Sequence, residues 1–456
     1  MMSDDTERDR LSARAARYAR VGANVGGVAA RIAGTRLLGL DRGEGNAAAL
    51  AAALGGLKGP LMKVAQLMAT IPDLLSPDYA SELQKLQSDA PPMGRAFVRR
   101  RMMAELGRDW QAKFTRFDET PAAAASLGQV HRAVTLDGED VACKLQYPDM
   151  QAAVEADLNQ LDVLFALHRR MNGVIDTREI AREIGARVRE ELDYRREARH
   201  AALYKAMLRG ETLVRVPEVR EDLSTGRLLT LEWLTGEKIL GFVDHSQEER
   251  NQLARAMFAA WWLPFSRYGV IHGDPHLGNY TVFRDAAGGP AGINLLDYGC
   301  IRIFPPRFVA GVVDLYRGLG EGDAERVVHA YEVWGFKGLT RELIDILNIW
   351  ARFIYGPLMD DRVRTIADGV EPGQYGRREA HRVHTALKAL GPVTVPREFV
   401  FMDRAAIGLG AVFLHLKAEL NFHALFEDAI AGFSEAAVAQ RQADALRAAG
   451  LPTDGN

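Results

Sequence analysis

The sequence predicts an α+β chain in two lobes, a small β-rich one followed by a large helical one, with a helical stretch in front. Three observations carry this. Residues 114–147 hold short runs of β-branched and aromatic residues around the turn LDGED at 136–140. A second strand-like pair, TLVRVPEV and GRLLTLEWL, flanks the turn Asp222–Gly226. After Gly236 nearly all the text has helical spacing, except one hairpin-like patch, GNYTVFRDAAGGPAGINLLDYG, whose two short apolar strands flank a Gly-rich turn at 285–292.

In chain order, residues 10–36 carry Arg10, Arg14, Arg17, Arg20, Arg31 and Arg36 with no acidic residue among them. The favoured reading is a surface helix with its arginines in water. The alternative is a basic amphipathic segment lying on an anionic membrane. From Leu57 to about Arg101 apolar residues recur at helical spacing, broken at Pro72, Pro77 and Pro91-Pro92. Helical text returns from Gln151 to Arg209 and again from Pro305 to the end, with loops at 369–376 and 391–396. The Ala-rich tail after Ala436 reads as a last helix that frays. The expected division is a basic segment over 1–56, a helical extension over 57–110, the β-rich lobe over 111–236 and the helical lobe over 237–456.

Composition narrows the function. With 456 residues, 48% hydrophobic and 26% charged, the chain is of ordinary globular make-up and long enough for a two-lobed body. A formal net charge of −3 gives no electrostatic case for a nucleic-acid partner. Two cysteines, Cys143 and Cys300, far apart and without a CxxC pattern, argue against a disulfide framework or thiolate zinc site. The longest apolar stretch, from Ala405, is interrupted by His415, Lys417 and Glu419, short of the ~18 residues a membrane helix needs. The start MMSDDTERDR lacks the basic and apolar regions of a secretory signal. The expected location is cytoplasmic, with peripheral contact at an inner membrane left open.

The chemistry gathers in HGDPHLGN, residues 272–279. His272 and His276 would suit a metal at i, i+4 on a helix, but Pro275 and two glycines make this a loop with no third ligand near in sequence. A polar loop capping a buried helix is the bland alternative. Asp274 and Asn279, five apart, followed by a hairpin ending in LLDYG, fit phosphoryl transfer better. That reaction needs a carboxylate to orient or deprotonate the nucleophile, and a carboxylate with an amide oxygen to hold Mg2+ against phosphates. Asp274 is then the catalytic group, Asn279 and Asp297 the metal ligands, and His272 a brace for the loop; His276 receives no role. The Asp-x-x-x-x-Asn interval is that of kinase catalytic loops.

Such a site needs a lysine for the phosphates, and VACKLQY places Lys144 on an apolar strand, where an unpaired lysine is costly. The competing reading is an edge-strand lysine pointing to water. REELDYRREA offers carboxylates to pair with it, and spacing does not choose among them. In LLTLEWLTG, backbone groups of Glu232 and Leu234 would face the adenine edge with Leu231 behind, a plain core strand being the alternative. Upstream, where kinases have a Gly-rich phosphate loop, the chain has PAAAASLGQVHRA; its alanines make for a stiffer loop.

These residues resemble the UbiB family of atypical, protein-kinase-like proteins tied to ubiquinone biosynthesis. The resemblance runs from about Leu57 to Phe422. It rests on KVAQ (63–66), AAASLGQVHRA (123–133), VACKLQYP, ELDYRREA, HGDPHLGN and LLDYG. It implies a two-lobed protein-kinase-like fold and an ATP-binding, ATP-hydrolysing protein with Mg2+. Its partners would be quinone-biosynthesis proteins or lipophilic intermediates. By position it assigns Ala123, Ala124, Ala125 and Ser126 to the nucleotide loop and Lys144 to the phosphates, with Glu191 or Glu197 as its charge partner. Asp274 becomes the catalytic Asp, and Asn279 and Asp297 the Mg2+ ligands. Lys63 and Gln66, on a front helix that gates the site, would meet Glu191 or Asp193. Two departures stand out. Ala65 replaces the family glycine in the front motif, and the apolar membrane helices that end bacterial members are not found. A small-molecule phosphotransferase of the aminoglycoside or choline kinase type shares the His-Gly-Asp loop, but the Ala-rich loop and KVAQ oppose it. A nucleotide-binding pseudokinase scaffold is opposed by the intact Lys144, Asp274, Asn279 and Asp297.

Overall fold

The computed structural model describes residues 93–453 apart from Ser126, Asp149, most of 153–187 and 391–395. The chain folds as two compact units. One takes the described residues up to Arg195 and reclaims Arg220–Leu231; the other takes Arg196–Val219 and the chain from Glu232 onward.

The elements begin with helix α1 (Arg95–Leu106), strands β1 (Phe114–Phe117), β2 (Ala123–Ala125), β3 (Gly128–Thr135) and β4 (Asp140–Gln146), and helix α2 (Tyr194–Met207). Strands β5 (Val214–Arg215), β6 (Leu228–Glu232) and β7 (Glu237–Lys238) lead into helix α3 (Gln247–Tyr268). Strands β8 (Val270–His272), β9 (Tyr280–Arg284), β10 (Pro290–Leu295) and β11 (Ile301–Ile303) follow. The rest is helical: α4 (Pro306–Glu321), α5 (Ala324–Trp334), α6 (Arg341–Tyr355), α7 (Arg377–Leu390), α8 (Arg397–His415), α9 (Phe422–Ile430) and α10 (Glu435–Ala448).

In the β-rich unit the sheet runs β1-β3-β4-β6, with β2 also paired to β3. Strands β3 and β4 alternate in burial, and their register, His131 opposite Cys143 and Ala133 opposite Val141, puts one face on the core. Phe97, Val98 and Met102 of α1, with Trp110 and Phe114, close that core. Among the polar residues buried there, Gln129 and His131 satisfy one another. Gln129 takes the Met93 N–H at 2.8 Å and bonds His131 Nε2 at 2.8 Å, while His131 Nδ1 lies 2.8 Å from the Asp118 carbonyl. Burial lowers the His131 pKa, keeping the ring neutral.

The Ala-rich stretch is not wholly the loop expected from its sequence. Ala123–Ala125 form β2, paired with Gly128–Val130. On the other side of β3, Gly128 permits a close approach to β4, since a Cβ there would stand 2.3 Å from the Leu145 carbonyl oxygen and 2.9 Å from the Tyr194 hydroxyl. Alanine is a weak strand former, so the pairing comes from tertiary context rather than propensity. The expected pair around Asp222–Gly226 is also modified: β5 is two residues long and pairs in parallel with β10.

The helical unit is built around α3, which opens with a Ser246–Glu249 capping box and buries Leu253, Met257, Trp261 and Phe265. Burying a side chain the size of Phe265 contributes about 2–3 kcal/mol. Against α3 lie a sheet ordered β5-β10-β9-β7 and the ribbon β8–β11. The last helix does not fray at its middle. Val438 and Leu446 are buried, and Gln442 Nε2 donates to the Tyr268 carbonyl at 2.7 Å and the Phe304 carbonyl at 2.8 Å. Among the described residues no helix is long and apolar enough to cross a membrane.

Candidate active site

In the helical unit the pairing of β9 with β10 and of β8 with β11 forces two connecting loops side by side, 273–279 and 296–300. Backbone bonds join them: the Gly273 N–H donates to the Cys300 carbonyl at 2.7 Å and the Leu296 N–H to the Asn279 carbonyl at 2.9 Å. The first loop holds Asp274 and Asn279, and the second holds Asp297.

His272, fully buried, is the brace between them. Its Nδ1 accepts the Asp274 N–H at 3.2 Å, and its Nε2 lies 2.8 Å from the Asp297 carbonyl. Both bonds are satisfied by one tautomer, with the proton on Nε2 donated to that carbonyl. The ring is boxed in by Trp261 at 5.2 Å and Tyr204 at 6.2 Å between centroids, and Trp261 Nε1 donates to the His272 carbonyl at 2.9 Å. Asn279 Nδ2 donates to the Asp274 carbonyl at 3.0 Å and to its carboxylate Oδ2 at 3.1 Å. These bonds fix the amide and turn Oδ1, a hard oxygen donor, away from the carboxylate.

Two phenols complete the frame. Tyr280 donates to the Pro275 carbonyl at 3.3 Å and Tyr298 to the Leu295 carbonyl at 3.0 Å. Burial, then the Asp274 charge, pushes the Tyr280 pKa up. Burial, then Tyr204, Asp297 and Glu197, does the same for Tyr298. Both stay neutral donors. Helix α2 is tied to the second loop by His200 Nδ1, 3.2 Å from the Tyr298 carbonyl. Glu197, three residues earlier on the same helix, is buried at 3% exposure and sits near enough to Tyr298 to raise its pKa.

In the β-rich unit Lys144 lies on β4, an inner strand between β3 and β6, not an edge strand. Register aligns it with Val130 on β3 and, one strand further, Ala123 on β2. Alternation sends Lys144 to the face opposite buried Cys143 and Leu145, and its ammonium stands 5.3 Å from the Tyr194 ring centroid. The turn before α2 holds half-buried Glu191 and exposed Asp193, and the intervening Leu192 carbonyl accepts from Gln146 Nε2 at 3.1 Å. Glu232 and Leu234 line a cleft of about 530 Å³ in the helical unit with Lys205, Arg209 and Arg215. The Glu232 N–H donates to the Glu218 carbonyl at 2.8 Å. Lys63, Gln66, Ser126 and the basic segment over 10–36 lie outside the described residues.

No group of three or more His, Cys, Asp or Glu among the described residues is placed to hold a metal by itself. The donors present, an Asp and an Asn amide oxygen on bonded loops, suit Mg2+, which takes few protein ligands and completes its shell with phosphates and water. Sequence reasoning missed His200, Tyr204 and Tyr298; the i, i+3 spacing of Glu197 and His200 was the available signal for the first.

The fold and these loops define a protein-kinase-like protein. A profile of the ABC1 atypical kinase-like domain matches residues 85–331, just over half of the sequence. The chain belongs to this family, the one whose motifs it shares as UbiB. It is 30% identical over 373 residues to the uncharacterised Synechocystis protein sll1770, covering 80% of this chain and 61% of that one. It is 29% identical over 286 residues to rat atypical kinase COQ8B, mitochondrial, covering 62% and 53% respectively. A Mycobacterium tuberculosis protein, Rv3197, solved in complex with erythromycin, superposes with a TM-score of 0.59 at 26% identity, covering 83% of this chain and 94% of that one. The chain spans about half to three-fifths of the length of the curated relatives it matches.

Proposed function

We propose that this atypical kinase binds Mg-ATP, hydrolyses it, and supports ubiquinone biosynthesis. The observation that carries the reading is the Asp274–Asn279 hydrogen-bonded pair, tied through His272 to the loop of Asp297. In this reading Asp274 orients the nucleophile, Asn279 Oδ1 and Asp297 take Mg2+, and Lys144 meets the phosphates with Glu191 or Glu197 as its charge partner. Bound Mg2+ would neutralise charge on the transferring phosphoryl group. Ala123, Ala124 and Ala125 of β2, with Ser126, take the phosphate side. The Glu232 carbonyl and Leu234 N–H face the adenine, and Lys63 and Gln66 gate the site toward Asp193. The quinone role is supported by the COQ8 names among relatives.

The test is Mg-dependent ATP hydrolysis by wild type and Asp297→Asn, with quinone profiling of a deletion strain complemented by each. Hydrolysis unchanged in Asp297→Asn would sink the site assignment, and normal quinone levels in the deletion would detach the chain from that pathway. A second reading, transfer to a small hydroxyl-bearing molecule, gains from the erythromycin complex of the 26%-identical relative. Phosphorylation of added erythromycin by Mg-ATP would favour it over hydrolysis alone.

A further inference from the structure

The loop that carries Asp274 is gripped on a side its own strands do not reach. Gly408 of α8 backs onto Pro275: a Cβ there would stand 2.3 Å from Pro275 Cγ, 3.3 Å from Cδ and 3.5 Å from Cβ. The three atoms nearest that point all belong to one ring, and a pyrrolidine ring cannot swing aside as a long side chain does. Nor can it retreat. Pro275 is buried, and its carbonyl is held by the Tyr280 hydroxyl, whose ring packs edge-on against Trp261 at 6.0 Å. The helix is equally fixed, with Met402, Ala405, Leu409, Val412 and Phe413 in the core. Any side chain at 408 would therefore shift Pro275, and Asp274 is the residue bonded directly before it.

We propose that Gly408 is a positioning residue for the Asp274 loop: its missing side chain lets α8 seat the Pro275 ring and so sets where the Asp274 carboxylate stands. The effect on turnover rests on the nucleotide reading above; the contact itself does not. Gly410 supplies the control. A Cβ there would meet Tyr375 at 2.2 Å rather than the loop, so its substitution strains the same helix elsewhere.

The experiment compares Gly408→Ala and Gly410→Ala in the full chain by ATP turnover, Mg-ATP affinity, and backbone hydrogen exchange at Asp274–Asn279. Gly408→Ala should lower kcat about 100-fold, as misplacement on the order of 1 Å does, with affinity little changed. It should also speed exchange in that segment. Gly410→Ala should do neither, and adding Pro275→Ala to Gly408→Ala should slow exchange back toward wild type. The proposal is overturned if both glycine variants lose turnover only in step with their folded fraction and the segment's exchange is unaltered. Should Gly408→Ala fail to fold, refolding of the Gly408→Ala/Pro275→Ala pair supports the contact, and a pair that stays unfolded overturns it. If wild type turns over no ATP, the nucleotide reading falls while the exchange comparison still decides the contact.

Discussion

The two units place their candidate groups by different means. In the β-rich unit Ala123 and Lys144 stand where sheet register puts them, on backbone ladders that do not depend on their side chains. In the helical unit Asp274, Asn279 and Asp297 lie in loops between short strands, held by side-chain bonds from His272, Asn279 and Tyr280. Register is a collective property of many residues, whereas a loop depends on each bond that pins it. Single substitutions should therefore disturb the loops more than the sheet.

The largest expected effect lies in the loops themselves. Asp274→Asn should keep Mg-nucleotide affinity and lower turnover by about 10²–10⁴-fold, while Asp297→Asn should lose affinity for Mg-nucleotide. Equal loss of affinity in both would erase the distinction drawn between them. His272→Ala comes next, because it leaves the Asp274 N–H without its acceptor and the Asp297 carbonyl without its donor. A cost of about 1–3 kcal/mol in denaturant unfolding is expected, with turnover falling alongside it. A variant as stable and active as wild type would show that the brace is idle.

Away from the loops the helical unit carries a cost of its own. Burial pushes the Asp403 carboxyl up to about 8. In the unfolded chain an Asp titrates near about 4, so folding takes up a proton between those values and the folded state is penalised progressively as pH rises through them. Asp403→Asn removes that penalty. Its unfolding free energy should match wild type near pH 4 and exceed it above pH 8, by an amount on the order of 5 kcal/mol if the whole shift is relieved. A gain that does not vary with pH would refute the assignment. The smallest effect is expected in the sheet. Ala124→Gly should cost roughly 0.5–1 kcal/mol and shift nucleotide preference only modestly, since the β2–β3 ladder survives it. Loss of nucleotide binding as complete as that of Asp297→Asn would mean that the sheet is no more tolerant than the loops.

Local order in the sequence was enough for the alternating strands around 128–146, the hairpin of β9 and β10, and the helices from Pro306 onward, because side-chain periodicity and turn residues act over short range. The Asp274–Asn279 interval was equally legible, being a spacing within one loop. Residues far apart in sequence had to meet before the rest could be known. Three alanines became a strand because Gly128–Val130 lay beside them. Strand β5 joined β10, some eighty positions away, rather than a full hairpin with β6. His272 could be guessed as a brace, but its bonds to both loops required β8 and β11 to pair. Gly408 gave no sequence signal at all. A glycine in a helix is chemically mute until a proline from 133 positions earlier is packed against it. The sequence by itself determined which residue types were available and their local geometry; only tertiary structure decided which of them touch, since close packing is a property of the assembled core and not of any segment.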